Sequence, residues 1–279
     1  MTTIHKILYQ IWPGDDSIPE HQAVLMAKNA LVCKQFGYDH AFVRIVDDHS
    51  IDVSYGDVLQ NIPFNHISKD PRFSQMLQDP KIPYVMKGDI LRFTLIAAVG
   101  GFYADLDLEV RHFKDSWLSL PYVCGFERNR DGAGKRPQFN PWEPGKVQPC
   151  TREDKVLCTG FFGAPIESPI NREMSEFILH SYEGMAKNNC YPTNMWDVID
   201  ITVDPLVRII RKHPEVKPFP MEVFFPWPIP NPVKSFTQHY YAGTQPGGWT
   251  FDQCKNEDCS QCSNKPLCRI SREGRRLPC

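Results

Sequence analysis

Two aspartates, Asp105 and Asp107, stand at the end of an apolar, strand-like segment at residues 102–106. Residues two apart on a regular strand project to the same face, so the two carboxylates would lie side by side and would need a cation. At the carboxyl end of a strand in an α/β sheet, a hard divalent ion such as Mn²⁺ or Mg²⁺, bridging to a diphosphate, meets that need. The alternative is that a common Asp-x-Asp pair merely ends a strand in solvent.

The segment before this strand, residues 83–99, has the composition of a helix that is apolar almost all round, yet it contains Asp89 and Arg92. Their i, i+3 spacing places the two side chains on one face of the helix. Charges on so apolar a helix are costly unless they are paired or used. They are therefore either an intrahelical ion pair or a polar clamp for ligand hydroxyls beside the metal.

The pattern along the chain predicts an α/β fold. An apolar strand at 4–12 precedes a helix that opens near Glu20 and is stopped by Gly37, and a second strand follows at 42–46. This β-α-β opening favours a mostly parallel sheet flanked by helices. Residues 50–81 are polar and punctuated by proline, which predicts loop with one short helix at 73–77. Further strands are predicted at 122–126, 156–164 and 222–225, and further helices at 170–186 and 204–212.

Three segments in this order and spacing resemble the sugar-binding Asp-x-Asp region of glycosyltransferase family 32: ILYQIW at 7–12, KGDILR at 87–92 and GGFYADLD at 100–107. Family 32 includes Och1-like mannosyltransferases and capsular-polysaccharide transferases, and it is related to the glucosyltransferase domains of clostridial toxins and to family 8. The resemblance is clearest over residues 4–110 and fainter to about residue 250. Each segment alone is weak evidence for the family, whereas the three in this order and spacing are specific for it.

The resemblance implies a GT-A fold with a Rossmann-like sheet over residues 1–250, followed by a Cys-rich extension at 251–279. It implies a hexosyltransferase of polysaccharide biosynthesis that uses Mn²⁺ or Mg²⁺. Such an enzyme moves a sugar from a UDP- or GDP-sugar donor to a glycan or other hydroxyl acceptor, with retention at the anomeric carbon.

The same resemblance implies a role for each matching residue. Asp89 and Arg92 match positions that hold the hydroxyls of the donor sugar. Asp105 would contact the ribose or the metal, and Asp107 would bind the metal directly. The donor nucleoside would be contacted by Trp12, with Gln10 nearby, and by Tyr103. The alternative for Trp12 is a core aromatic.

A third metal ligand is expected late in the chain. His239, followed by Trp249, resembles the family's His-rich segment and its Gly-Ser-Trp-like turn, so His239 is the predicted ligand and Trp249 a predicted donor contact. A neutral imidazole suits Mn²⁺ as well as carboxylates do. Gln245 stands where family 8 has a phosphate-binding lysine, so no phosphate contact is assigned there.

Two other functions remain open at this point. A nucleotide-sugar hydrolase would use the same donor site with water as the acceptor, and a catalytically silent module would only bind the nucleotide sugar. An acid glycosidase that uses Asp105 and Asp107 is disfavoured, because adjacent side chains on one strand cannot flank both sides of a glycosidic bond.

Composition excludes several other classes. Lys plus Arg number 31 and Asp plus Glu 33, a formal net charge of 31 − 33 = −2, which argues against a nucleic-acid-binding surface. Hydrophobic residues make up 42% and charged residues 23%, as in ordinary globular chains. The beginning of the chain lacks the pattern of a signal peptide, and no apolar run is long enough to span a bilayer. We therefore expect a cytoplasmic, soluble protein without a transmembrane segment.

Half of the 10 cysteines crowd the last 26 residues, as Cys254, Cys259, Cys262, Cys268 and Cys279. The short spacings of the first four suit thiolate coordination of a structural Zn²⁺. In an oxidising environment the same residues would form disulfides instead. Both possibilities stay open on the sequence alone.

Overall fold

The computed structural model of the chain describes residues 3–14, 17–46, 49–129, 138–143, 155–224 and 235–239. The strands are β1 (Ile7–Trp12), β2 (Asp39–Ile45), β3 (Ser50–Tyr55), β4 (Val58–Pro63), β5 (Gly101–Ala104), β6 (Leu108–Val110), β7 (Phe126–Asn129), β8 (Lys155–Leu157), β9 (Phe161–Ala164) and β10 (Thr237–His239). The α-helices are α1 (Glu20–Phe36), α2 (Phe64–Ile67), α3 (Pro71–Gln78), α4 (Tyr84–Val99), α5 (Pro169–Asn188), α6 (Met195–Thr202), α7 (Asp204–Arg211) and α8 (Met221–Phe224), and a 3-10 helix spans Asp115–Ser119.

The main sheet has the strand order β4-β3-β2-β1-β5-β9. Its centre is parallel, because β1 pairs in parallel with β2 on one side and with β5 on the other. The pairs β2–β3, β3–β4 and β5–β9 are antiparallel, so four of the six strands in this sheet run in one direction. The predicted α/β fold with a Rossmann-like parallel centre is confirmed, and antiparallel strands extend it at both sides.

Helices cover both faces of the sheet. On one face Tyr9 of β1 shares a buried cluster with Ile90 and Leu91 of α4. On the other, Leu8 and Cys33 belong to a second cluster, so α1 covers the opposite side. The alternation of Leu8 and Tyr9 between the two clusters is the period-2 pattern of a strand that is buried on both faces.

Helix α4 is buried almost all round because it lies between the sheet and the helices α3, α5 and α6. It ends at Gly100, whose φ of 68° is a backbone conformation that residues with a side chain rarely adopt. The next strand, β5, carries the chain back into the sheet beside β1, with Tyr9 opposite Tyr103. The order of these two elements therefore brings the charges of α4 to the end of β5.

Four predictions of local structure were wrong. Residues 50–63 form the hairpin β3–β4 rather than a loop. The strand predicted at 156–164 is interrupted by a short loop at 158–160 between β8 and β9, and residues 122–125 precede β7 and make only isolated bridges. The strand predicted at 222–225 is instead α8 over its described part.

Two broader predictions concern membrane association and domain organisation. Within the described residues, no helix is both long and apolar enough to cross a membrane. The division into 1–250 and 251–279 stays a prediction, since residues from 240 onward lie outside the described part of the chain.

Candidate functional site

The two aspartates lie in a turn and not on the strand. β5 ends at Ala104, and the amide of Leu108 donates to the carbonyl of Asp105 at 3.1 Å, which closes the turn. The amide of Asp105 donates to the carbonyl of Gly160 at 2.8 Å. The expectation that strand geometry alone aligns Asp105 and Asp107 is therefore wrong. Both are half-buried at the carboxyl end of a parallel strand, the edge where ligands bind in α/β sheets.

The carboxylate of Asp105 meets the charged pair of α4. Arg92 Nη1 donates to Asp105 Oδ1 at 3.0 Å and to the carbonyl of Thr159 at 2.9 Å. Arg92 Nη2 forms an ion pair with Asp89 Oδ1. The intrahelical ion pair thus exists, and it also extends to the Asp-x-Asp turn. Arg92 thus connects α4 to a carboxylate that lies 13 residues later in the sequence.

Burial makes this cluster electrostatically strong. The side chains of Asp89 and Arg92 are 4% and 9% exposed, and opposite charges attract more strongly where water is excluded. Arg92 Nε is buried and has no hydrogen-bond partner among the described residues. A buried donor without a partner costs free energy, and such groups in native structures are often retained at functional sites.

Tyr103 supports the cluster from the strand. Its hydroxyl donates to Asp105 Oδ1 at 2.6 Å, and the guanidinium of Arg92 lies 5.1 Å from the centre of its ring. Burial, followed by the nearby charge of Asp105, raises the pKa of Tyr103 well above its usual range, so the phenol remains a hydrogen-bond donor. The ring is 4% exposed, and the hydroxyl is directed to Asp105.

The predicted nucleoside contacts on β1 are also buried. Gln10 is 0% exposed, and its Nε2 donates to the carbonyl of Asp105 at 3.1 Å. Trp12 is 8% exposed, and the chain folds back over it so that a Cβ on Gly14 would lie 3.3 Å from the indole ring. Gln10 thus contacts the rear of the Asp-x-Asp turn, and Trp12 lies at the end of β1 on the ligand-binding edge.

Two residues of α1 escaped the sequence analysis. The carboxylate of Asp107 acts on His21 by raising its pKa, although burial has the larger effect and lowers that pKa overall. Asn29, which is fully buried, donates to the carbonyl of Leu108 and accepts from the amide of Val110, both at 2.8 Å. Topology could have indicated His21, because α1 follows β1 and its first turn therefore lies at the carboxyl end of the strands. Asn29 lies in the middle of α1, and no sequence signal marks it.

The predicted third metal ligand is placed by its backbone alone. His239 in β10 pairs antiparallel with Leu108, the residue after Asp107. Its side chain is outside what the structure describes, and so are Trp249 and the cysteines Cys254, Cys259, Cys262 and Cys268. In the described part of the chain no three His, Cys, Asp or Glu side chains are grouped so that they could hold a metal ion. Metal binding and the zinc site stay predictions.

The loop at 158–160 is a further part of the site that the sequence did not indicate. The carbonyl of Thr159 accepts from Arg92, and the carbonyl of Gly160 accepts from the amide of Asp105. A Cβ on Gly160 would lie 2.6 Å from Asp105 Oδ2. Only a residue without a side chain therefore leaves this carboxylate in its place.

Replacing Gly160 by alanine should push the Asp105 carboxylate away from Arg92 and Tyr103. We expect a fall of about 100-fold in kcat/KM for the sugar transfer that the family resemblance implies, the scale of a 1 Å misplacement of a reacting group. Gly88→Ala in α4 is the matched control, because its Cβ would come no closer than 3.4 Å to Pro13. Equal activity of the two variants, both folded by circular dichroism, would contradict this steric account.

The charged residues of this site lie within a range that matches a known protein-family model. Residues 21–123 match the family model described as "Glycosyltransferase sugar-binding region containing DXD motif". The matched range contains Asp89, Arg92, Tyr103, Asp105 and Asp107. A solved structure titled "PaToxG Glycosyltransferase" is similar over 76% of this chain and 71% of that one, with 16% sequence identity and a TM-score of 0.45. No curated protein sequence matches the chain.

Residues 21–123 are therefore similar to a glycosyltransferase sugar-binding region of the Asp-x-Asp type. In this chain they belong to an α/β sheet that is flanked by helices. The match covers the edge of the sheet where the acidic turn and the α4 charges meet. It supports a glycosyltransferase, and a nucleotide sugar is the donor that such a region suggests.

Proposed function

We propose that the protein is a metal-dependent, retaining hexosyltransferase of the family 32 type. It would transfer the sugar of a UDP- or GDP-sugar to a hydroxyl of a glycan acceptor in polysaccharide biosynthesis. One observation carries the proposal: Arg92 binds the carboxylates of Asp89 and Asp105 at once, at the carboxyl end of β5. The residues that the resemblance assigns to the donor sugar and to the turn are thus in direct contact.

The residues at the turn are chemically suited to Mn²⁺ or Mg²⁺. Asp105 and Asp107 offer hard oxygen donors at the ligand-binding edge of the sheet. Asp105 Oδ1 already accepts from Arg92 and Tyr103, so Asp107 is the stronger candidate for direct coordination. His239 would be the third ligand, and its strand joins β6 directly after Asp107. When bound, the ion would neutralise the departing diphosphate as a Lewis acid.

The other side chains would bind and orient the donor. Arg92 and Asp89 would hold hydroxyls of the donor sugar through charge-assisted hydrogen bonds. Trp12 and Trp249 would contact the nucleotide.

A donor screen tests this function. UDP- and GDP-sugars are incubated with and without Mn²⁺ and with a glycan acceptor, and nucleotide release is measured. We expect release from one class of donor, dependent on Mn²⁺, abolished by EDTA and stimulated by the acceptor. Release of free sugar that ignores the acceptor would indicate a hydrolase instead. Donor binding without either reaction would indicate a binding module, and no binding of any donor would overturn the proposal.

A further inference from the structure

A hydrogen-bond network centred on the buried side chain of Gln10 contacts the backbone of the Asp-x-Asp turn. Gln10 lies in the middle of β1, and its Nε2 donates to the carbonyl of Asp105 at 3.1 Å. Its Oε1 lies 3.0 Å from Nε2 of His40 in the neighbouring strand β2. Three groups are thereby connected across three adjacent strands, although none is close to another in the sequence.

Hydrogen-bond chemistry determines which group donates and which accepts in this network. A backbone carbonyl can only accept, so the NH₂ group of Gln10 must face Asp105 and its oxygen must face His40. His40 Nε2 must therefore carry a proton. Burial lowers the pKa of His40 to about 4, so at neutral pH the ring is uncharged and its Nε2–H form is the donor.

Burial also protects the two hydrogen bonds of Gln10 from competition by water. Gln10 is fully buried, so water cannot take the place of either hydrogen bond. If His40 were not a donor, the Gln10 oxygen would lose its partner, and the amide could turn its oxygen toward the carbonyl of Asp105. Two facing acceptors repel each other, and an unpaired buried polar group costs about 1–3 kcal/mol.

We propose that His40 and Gln10 are positioning residues for the proposed sugar transfer: through the carbonyl of Asp105 they hold the turn that presents Asp105 and Asp107 to the metal and the donor. The inference rests on the proposed function. It also assigns Gln10 to the backbone of the turn, through the carbonyl of Asp105, in place of the nucleoside contact that the resemblance implies. Neither residue would contact the substrate.

The positions permit a matched pair of variants at His40. His40→Gln places an amide nitrogen at the same reach as Nε2 and keeps the donor, whereas His40→Phe keeps a ring and removes the donor. Loss of an outer-sphere partner weakens metal affinity or activity by about 10–100-fold. We therefore expect the Mn²⁺ dissociation constant, measured by Mn²⁺ EPR without donor sugar, to rise about tenfold or more in His40→Phe and to stay near the wild-type value in His40→Gln.

Two further readouts separate positioning from mere stability. Gln10→Met, of similar volume but without an amide, should weaken Mn²⁺ binding as His40→Phe does, which provides a second route if the phenylalanine variant does not fold. Gln10→Glu places a carboxylate against His40, so NMR titration of His40 should shift from about pH 4 in the wild type to above its ordinary value.

The outcomes distinguish the two proposals. If wild-type protein binds Mn²⁺ and uses a donor while His40→Phe equals it, the positioning role is overturned and the proposed function stands. If His40→Gln fails as badly as His40→Phe with both folded, packing and not the hydrogen bond matters, and the inference is again overturned. If the wild type neither binds Mn²⁺ nor uses any donor although His40 titrates near pH 4, the proposed function has failed and the positioning role fails with it.

Discussion

Replacing Asp107 by asparagine is expected to abolish sugar transfer while the protein stays folded. Asparagine keeps the volume of the side chain and removes the negative charge that the proposed metal would need. A Lewis-acid contribution of several kcal/mol corresponds to a loss of about 1,000-fold or more in kcat, since each factor of ten is about 1.4 kcal/mol. Asp107 is half-buried in a turn, so little of the core depends on it.

The experiment compares transfer rate, Mn²⁺ affinity and thermal unfolding between the variant and the wild type. Asp57→Asn is the control, because Asp57 is an exposed aspartate in the turn of the β3–β4 hairpin. That turn follows Tyr55, which pairs with Ala41 near the beginning of β2, at the opposite end of the sheet from the Asp-x-Asp turn. Full activity of Asp107→Asn would contradict the proposed metal-dependent mechanism.

Removing Arg92 should have the second large effect, on stability as well as on donor use. Arg92→Met keeps most of the volume but leaves Asp89, which is 4% exposed, as an uncompensated buried charge. Breaking a buried pair in this way typically costs about 3–5 kcal/mol. We therefore expect the free energy of unfolding in urea to fall by about that amount and donor binding to be lost.

Two controls give this measurement its meaning. In the double variant Asp89→Asn/Arg92→Met the isolated charge is gone, so part of the stability should return while transfer stays absent. Arg172→Met breaks an exposed ion pair in which the side chains of Arg172 and Glu167 are 60% and 71% exposed. It should change the free energy of unfolding by no more than about 1 kcal/mol. A stability of Arg92→Met equal to that of the wild type would show that the pair is solvated rather than buried.

Much of the fold was predictable because its central elements have local signals. Helices α1 and α4 end where they were expected, at Gly37 and Gly100, because glycine tolerates the positive φ that stops a helix. β1 was predicted from its apolar residues before Pro13. By contrast, β4 is an exposed edge strand with only one residue of intermediate burial. Its sequence therefore lacks the alternation of apolar and polar residues that indicates a half-buried strand. Helix α8 has only four residues, too few for a helical period.

The acidic part of the candidate site was predictable for a similar reason. Asp89 and Arg92 are one helical turn apart, and Asp105 and Asp107 are separated by one residue, so their spacing alone makes each pair conspicuous. The contribution of the loop at 158–160 was not predictable. The hydrogen bond from Arg92 to Thr159 joins residues 67 positions apart and ends on a backbone carbonyl, which every residue type possesses.

By itself, the sequence determined the residue types of this site and the neighbours within each pair, because helices and strands place nearby residues in regular ways. Only the tertiary structure decided that Arg92 reaches Asp105, that Gly160 must lack a side chain and that His40 lies within hydrogen-bonding distance of Gln10. These contacts depend on β1 lying between β2 and β5 and on α4 packing against the sheet. Strand order depends on burial and pairing between segments that are far apart in the sequence, so no short segment predicts it.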